Sequence, residues 1–125
     1  MLPRRPFAVT LAVAALAASA TGCTDNAPPA QARGGSVDVT LDDFFIVPQR
    51  IRAKPGRITF RVTNRGKVGH TLRVKQGSRD IVAIKTLLPG DRTTTTGTFA
   101  RGDYKLVCIL GNHEDLGMYG TLTVR

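Results

Sequence analysis

The chain is expected to fold as an all-β Greek-key sandwich, one domain behind an N-terminal leader and tether. Three observations predict it. Apolar and polar residues alternate in several short runs, turn residues separate the runs, and no useful helical stretch follows the leader. The chain has 125 residues, enough for one domain able to bury a core without disulfide staples.

The runs follow in order. Val37, Val39 and Leu41 alternate with Asp38, Thr40 and Asp42. Ile58, Phe60 and Val62 alternate with Thr59, Arg61 and Thr63, and Leu72 and Val74 with Thr71, Arg73 and Lys75. The stretch from Asp80 to Leu88 has room for a turn of helix, but its β-branched residues favour a strand. Thr93 to Phe99 is Thr-rich and extended. Tyr104, Leu106 and Cys108 share one face of a run, and Gly120, Leu122 and Val124 share one face of the last. Turn chemistry separates them at Lys54-Pro55-Gly56, Asn64-Arg65-Gly66, Pro89-Gly90-Asp91 and Arg101-Gly102-Asp103. There is no internal repeat.

Residues 1–22 read as an export signal. Arg4 and Arg5 form a positive start, and Ala8 to Ala20 is an uncharged stretch too short to span a bilayer. A buried helix is the rival reading, set aside by the flanking charges and the small-residue stop. Ser19-Ala20-Thr21-Gly22-Cys23 resembles a bacterial lipobox, with Ala20 where Leu is commoner, so Cys23 is the expected lipidation site and mature N-terminus. Arg4-Arg5-Pro6-Phe7 is a shorter resemblance, to a twin-arginine signal. Residues 23–35, with Pro28-Pro29 and Gly34-Gly35, read as a flexible tether, leaving 36–125 as the folded domain. The expected location is the outer face of a bacterial cell membrane or the periplasm.

The formal net charge is +9 and the sequence pI about 10.6. Such a surface suits acidic protein partners or anionic membranes. Nucleic acid is set aside, because the leader exports the chain and no nucleic-acid motif appears. Arg50, Arg52, Lys54, Arg57, Arg61, Arg65 and Lys67 are read as solvated strand faces and turns that could together dock an acidic redox partner. A monomer is expected.

The chemistry-bearing residues are few. After the leader the chain holds two His, His70 and His113, one Met, Met118, and one Cys besides Cys23, namely Cys108. Each alone has an ordinary reading: a satisfied histidine, core filler, a small buried hydrophobe. A Cys23–Cys108 disulfide is a further alternative in an oxidising compartment, but it would tie a tail to a strand end. Together they fit one metal site. Cys108 ends a strand on its inward face, four residues bring the chain to His113, and four more to Met118 at the start of the last strand. Thiolate and thioether suit Cu(I), imidazole suits Cu(II), and two imidazoles, a thiolate and a long axial Met form a trigonal copper site.

On these residues the sequence resembles the cupredoxin family of blue-copper proteins, plastocyanin-like small carriers most closely, over about residues 40–125. Tyr104-x-Leu106-x-Cys108 is similar to the strand entering the family's copper loop, and Gly117-Met118-x-Gly120-x-Leu122-x-Val124 to the strand leaving it. Asn64 and the glycine turn before His70 look like its first ligand segment, and Pro48, Pro55-Gly56 and Pro89-Gly90 keep its turn order. The resemblance implies a cupredoxin-like sandwich with one type 1 copper, His70, Cys108 and His113 equatorial and Met118 axial. It also implies one-electron transfer and no enzymatic turnover. Two positions depart from the family pattern. Asn112 stands where Gly often precedes the second His. Thr71 stands where Asn often follows the first, and its hydroxyl is expected to brace the Cys loop. His113 is expected near the surface, flanked by an apolar patch of Leu110 and Leu116. Copper capture or delivery with the same ligands, and a metal-free interaction module, are the alternatives.

Overall fold

The computed structural model describes residues 27–125. The export signal over 1–22 and the lipidation site Cys23 lie outside these residues. Ten strands and no helix make up the described chain: β1 Ala30–Gln31, β2 Ser36–Asp42, β3 Phe45–Val47, β4 Arg50–Ala53, β5 Gly56–Asn64, β6 Arg73–Gln76, β7 Arg79–Ala83, β8 Arg92–Phe99, β9 Gly102–Val107 and β10 Tyr119–Val124. They form a six-stranded sheet, in the order β1-β4-β10-β9-β6-β7, and a four-stranded sheet, β3-β2-β5-β8.

The period-two residues are those that face inward. Val37, Val39 and Leu41 of β2, Ile58, Phe60 and Val62 of β5, Leu106 of β9, and Leu122 and Val124 of β10 are all buried between the sheets. Burial of such side chains is worth about 1.5–3 kcal/mol each. Phe60 meets Phe99 edge-on at 5.8 Å, and Phe99 meets Tyr104 at 5.0 Å, so aromatic edges join the two sheets at the core. Tyr104 is the polar-tipped member of this cluster, and its hydroxyl donates to the Ala100 carbonyl at 2.9 Å.

In one strand the sequence obscures the alternation. β3 buries Ile46 but leaves Phe45 and Val47 exposed, so three consecutive apolar residues hide its period. β4 does alternate, with Ile51 and Ala53 inward and Arg50 and Arg52 outward, but over four residues only. β1 has no strand signature at all. It lies parallel to β4 through backbone pairing alone, continued by the Ala32 amide donating to the Arg52 carbonyl at 2.9 Å. The later part of the expected 23–35 tether is therefore part of the sheet. An unpaired strand edge needs only backbone donors and acceptors to add a neighbour, whatever its side chains.

The seven basic residues are all exposed, as expected of solvated positions. Four of them divide between the two sheets. Arg50 and Arg52 project from β4 in the six-stranded sheet, Arg57 and Arg61 from β5 in the four-stranded sheet, and Arg61 pairs with Asp38 at 2.6 Å. Exposed residues of opposed sheets point away from each other.

Topology places three connections at one end. β2 and β5 run parallel and both stop there, leading into the 43–44 turn and the 65–72 crossover between sheets. β9 runs antiparallel to β6 and β10, so its end meets their beginnings, and the 108–118 loop closes the same end. His70, Cys108, His113 and Met118 all lie on these connections.

Candidate metal centre

His70 is fully buried, although it sits on a crossover. Its backbone is locked to Leu87 in both directions, with the His70 amide donating to the Leu87 carbonyl at 3.0 Å and the Leu87 amide to the His70 carbonyl at 2.8 Å. Asn64, also fully buried, ends β5 and clamps the turn. Its Nδ2 donates to the carbonyls of Val68 and Leu87 at 2.9 and 2.8 Å, and its Oδ1 accepts from the Gly66 amide at 2.8 Å. One amide side chain thus bonds three backbone groups around the turn, sharing the Leu87 carbonyl with the His70 amide.

The second segment is held by its own backbone. The Cys108 amide donates to the Met118 carbonyl at 3.1 Å, and the Met118 amide to the His113 carbonyl at 3.0 Å. Gly111 and Gly117, at φ of 50° and 110°, make the reversals on either side of His113. The Leu116 amide donates to the Asn112 backbone carbonyl at 3.2 Å, closing a turn around His113. Cys108 and Met118 are fully buried and His113 is half-buried.

The three expected equatorial groups converge. One ligand atom each from His70, Cys108 and His113 lies within 4.8 Å of the others, and among the described residues no other such group of His, Cys, Asp and Glu forms. The two Nδ1 atoms are 3.3 Å apart, and His113 Nδ1 is 3.5 Å from Cys108 Sγ. Two nitrogens each about 2.0 Å from one ion lie about 3.3–3.5 Å apart at a near-trigonal angle, so the spacing fits a single first-row cation. Met118 is brought to the same end, with its backbone tied to both Cys108 and His113. Two imidazoles, a thiolate and a thioether, with no carboxylate among them, suit copper better than the harder divalent ions.

Thr71 braces the cysteine, but not through its hydroxyl. The Thr71 backbone amide donates to Cys108 Sγ at 3.5 Å, whereas Oγ1 donates to the Ile84 carbonyl at 2.7 Å. That carbonyl belongs to the segment paired alongside, where the Ile84 amide donates to the Leu72 carbonyl at 3.1 Å. The apolar patch also differs from expectation. Leu110 packs against the core, while Leu116 and Ile109 are about half exposed.

Two residues of the 43–44 turn escaped the sequence reading. Asp43 Oδ1 accepts from His70 Nε2 at 3.0 Å, and both carboxylate oxygens accept from the Lys67 amide, at 2.9 and 3.0 Å. The Lys67 amide first, and then His70, hold the Asp43 carboxyl below its ordinary range. Phe44 takes φ of 67°, unusual for a bulky residue, and lays its ring edge-on to His113 at 5.1 Å and to His70 at 6.4 Å. Asp42-Asp43-Phe44-Phe45 reads locally as a polar turn, and only the fold brings it across 27 residues to His70.

The profile of the cupredoxin-like domain family matches residues 8–124. No curated protein matches the chain. Solved structures share the fold at low identity. Reduced auracyanin from Roseiflexus castenholzii is 20% identical, with a TM-score of 0.67, over 73% of this chain and 97% of that one. Auracyanin A, a "blue" copper protein from Chloroflexus aurantiacus, is 17% identical with a TM-score of 0.61, over 72% and 99%. A multicopper oxidase matches over 72% of this chain and 41% of its own, at 19% identity and a TM-score of 0.56.

Proposed function

The chain belongs to the family of cupredoxin-like domains, and from that we propose that it transfers single electrons through one type 1 copper held by His70, Cys108, His113 and Met118. The observation that carries this reading is the convergence of His70 Nδ1, His113 Nδ1 and Cys108 Sγ at a sheltered end of the sandwich. Copper bound there would supply a one-electron couple. The residues supply rigidity. Each donor is fixed by backbone bonds that do not depend on the ion, so the site changes little between oxidation states.

Burial also favours a carrier over a delivery protein. His70, Cys108 and Met118 are closed to solvent, which hinders exchange of the ion, while the half-buried His113 offers an edge for electrons to enter and leave. The half-exposed Leu116 and Ile109 give that end an apolar skin suited to brief docking. No nucleophile–base pair is needed for such a task, so the reading is not an enzymatic one.

The deciding measurement is the visible and EPR spectrum of the soluble domain titrated with Cu(II). One equivalent is expected to give an intense thiolate-to-copper band and reversible one-electron cycling. A weak band, or copper lost on dialysis, would refute the carrier.

We further propose that the protein is exported and lipid-anchored at Cys23. The charged start, apolar stretch and small-residue stop of residues 1–23 support this. Among the described residues no helix is long and apolar enough to cross a membrane. Cys23→Ser is expected to move the protein from the detergent-rich to the aqueous phase on partitioning. Unchanged partitioning would sink the anchor.

A further inference from the structure

We propose that Asp43 is a positioning residue for the copper centre, fixing the tautomer of His70 and lowering the reduction potential through its charge. This rests on the copper reading, and it adds a carboxylate that does not itself reach the ion.

The geometry leaves His70 little freedom. An ionised carboxylate only accepts hydrogen bonds, so the 3.0 Å contact requires the proton on His70 Nε2. In the neutral ring Nδ1 then keeps its lone pair, and Nδ1 is the atom facing His113 Nδ1 at 3.3 Å. Asp43 thus prepares the donor before any ion arrives. The carboxylate is itself immobilised by the Lys67 amide on both oxygens, so it cannot swing away to solvent when the charge at the centre changes.

Gly66 shows that the pair is built into the fold. A Cβ there would lie 2.3 Å from Asp43 Oδ1 and 2.7 Å from His70 Nε2. Only glycine leaves room for the carboxylate to meet the imidazole, and the same Gly66 donates its amide to Asn64. The turn before His70 is therefore shaped around the Asp43–His70 contact as well as around its own backbone.

The electrostatic consequence has a sign. A fixed negative charge conjugated to a ligand imidazole by a hydrogen bond favours the more positive ion, Cu(II) over Cu(I), and so opposes reduction. The isosteric Asp43→Asn keeps an acceptor for Nε2–H and for the Lys67 amide but removes the charge. Asp43→Leu removes both.

The test uses the soluble protein at one fixed pH. In copper-loaded Asp43→Asn the reduction potential is expected to rise while the blue band and melting temperature stay near wild type. In copper-free wild type, nitrogen-15 shifts of the His70 ring are expected to show the proton on Nε2. In Asp43→Leu a second form with the proton on Nδ1 should appear, and copper affinity should fall by about 10–100-fold, the usual range for losing such a partner. A potential in Asp43→Asn equal to or below wild type, or a wild-type His70 protonated on Nδ1, would overturn the proposal. The nitrogen shifts need no copper. A wild-type protein without a blue band would therefore defeat the copper reading and leave the Asp43–His70 measurement standing.

Discussion

Copper-loaded Cys108→Ser is expected to lose the intense visible band altogether. The band requires a thiolate in contact with Cu(II), and Cys108 is the free cysteine among the described residues, fully buried and grouped with both imidazoles. A serine hydroxyl is a harder and far weaker ligand for copper. Affinity should fall by more than the roughly 10–100-fold that follows loss of a residue outside the ligand set. The copper-free fold should survive, since serine is close to cysteine in size and the Thr71 amide can donate to its oxygen in place of sulfur. An absorption spectrum decides it. A blue band that persists in Cys108→Ser would place the copper elsewhere and undo the ligand assignment.

Asn64→Ala should produce the largest loss of stability among the residues around the site. The side chain is completely buried and satisfies the carbonyls of Val68 and Leu87 and the amide of Gly66. Each group left without a partner away from water costs about 1–3 kcal/mol. The Leu87 carbonyl keeps its bond from the His70 amide, so a total of about 3 kcal/mol is expected. For a domain of this size that lowers the melting temperature by roughly 12–24 °C. Calorimetry of the copper-free protein is the appropriate measurement, because bound copper would stabilise the native state by mass action. A fall of under about 3 °C would mean the turn before His70 does not depend on this amide.

The convergence of His70, Cys108 and His113 at one end was legible in part because much of the spacing is local. Cys108, His113 and Met118 lie within one loop, and the period of β9 and β10 already turned Cys108 and Met118 inward. His70 was legible through the Asn64-Arg65-Gly66 turn that precedes it. The strands β2, β5, β9 and β10 were legible for the same reason, since each buries alternate residues on one face. What could not be read depends on distance in the chain. Asp43 has no local mark distinguishing it from Asp42, yet one is exposed and the other meets a histidine 27 residues away. Thr71 was identified as a brace, but which of its groups would act depended on the Ile84 carbonyl on a neighbouring segment. β1 could not be read because its pairing is carried by backbone, which leaves no trace in side-chain pattern.

That short first strand has an orienting effect. β1 runs parallel to β4 and β10, and β10 begins beside Met118. Ala27 and Pro28 accordingly line one groove with Pro48, Gln49 and Tyr119, and Arg50 donates to the Ala27 carbonyl. The polypeptide therefore approaches the sandwich from the pole where the histidines are. Ala27 is four residue steps from Cys23, with three residues between them, a reach of at most about 14 Å. If acyl chains are attached at Cys23, the pole that carries His70 and His113 would hover close over the lipid headgroups. Its natural correspondent would then be a protein seated in the same bilayer.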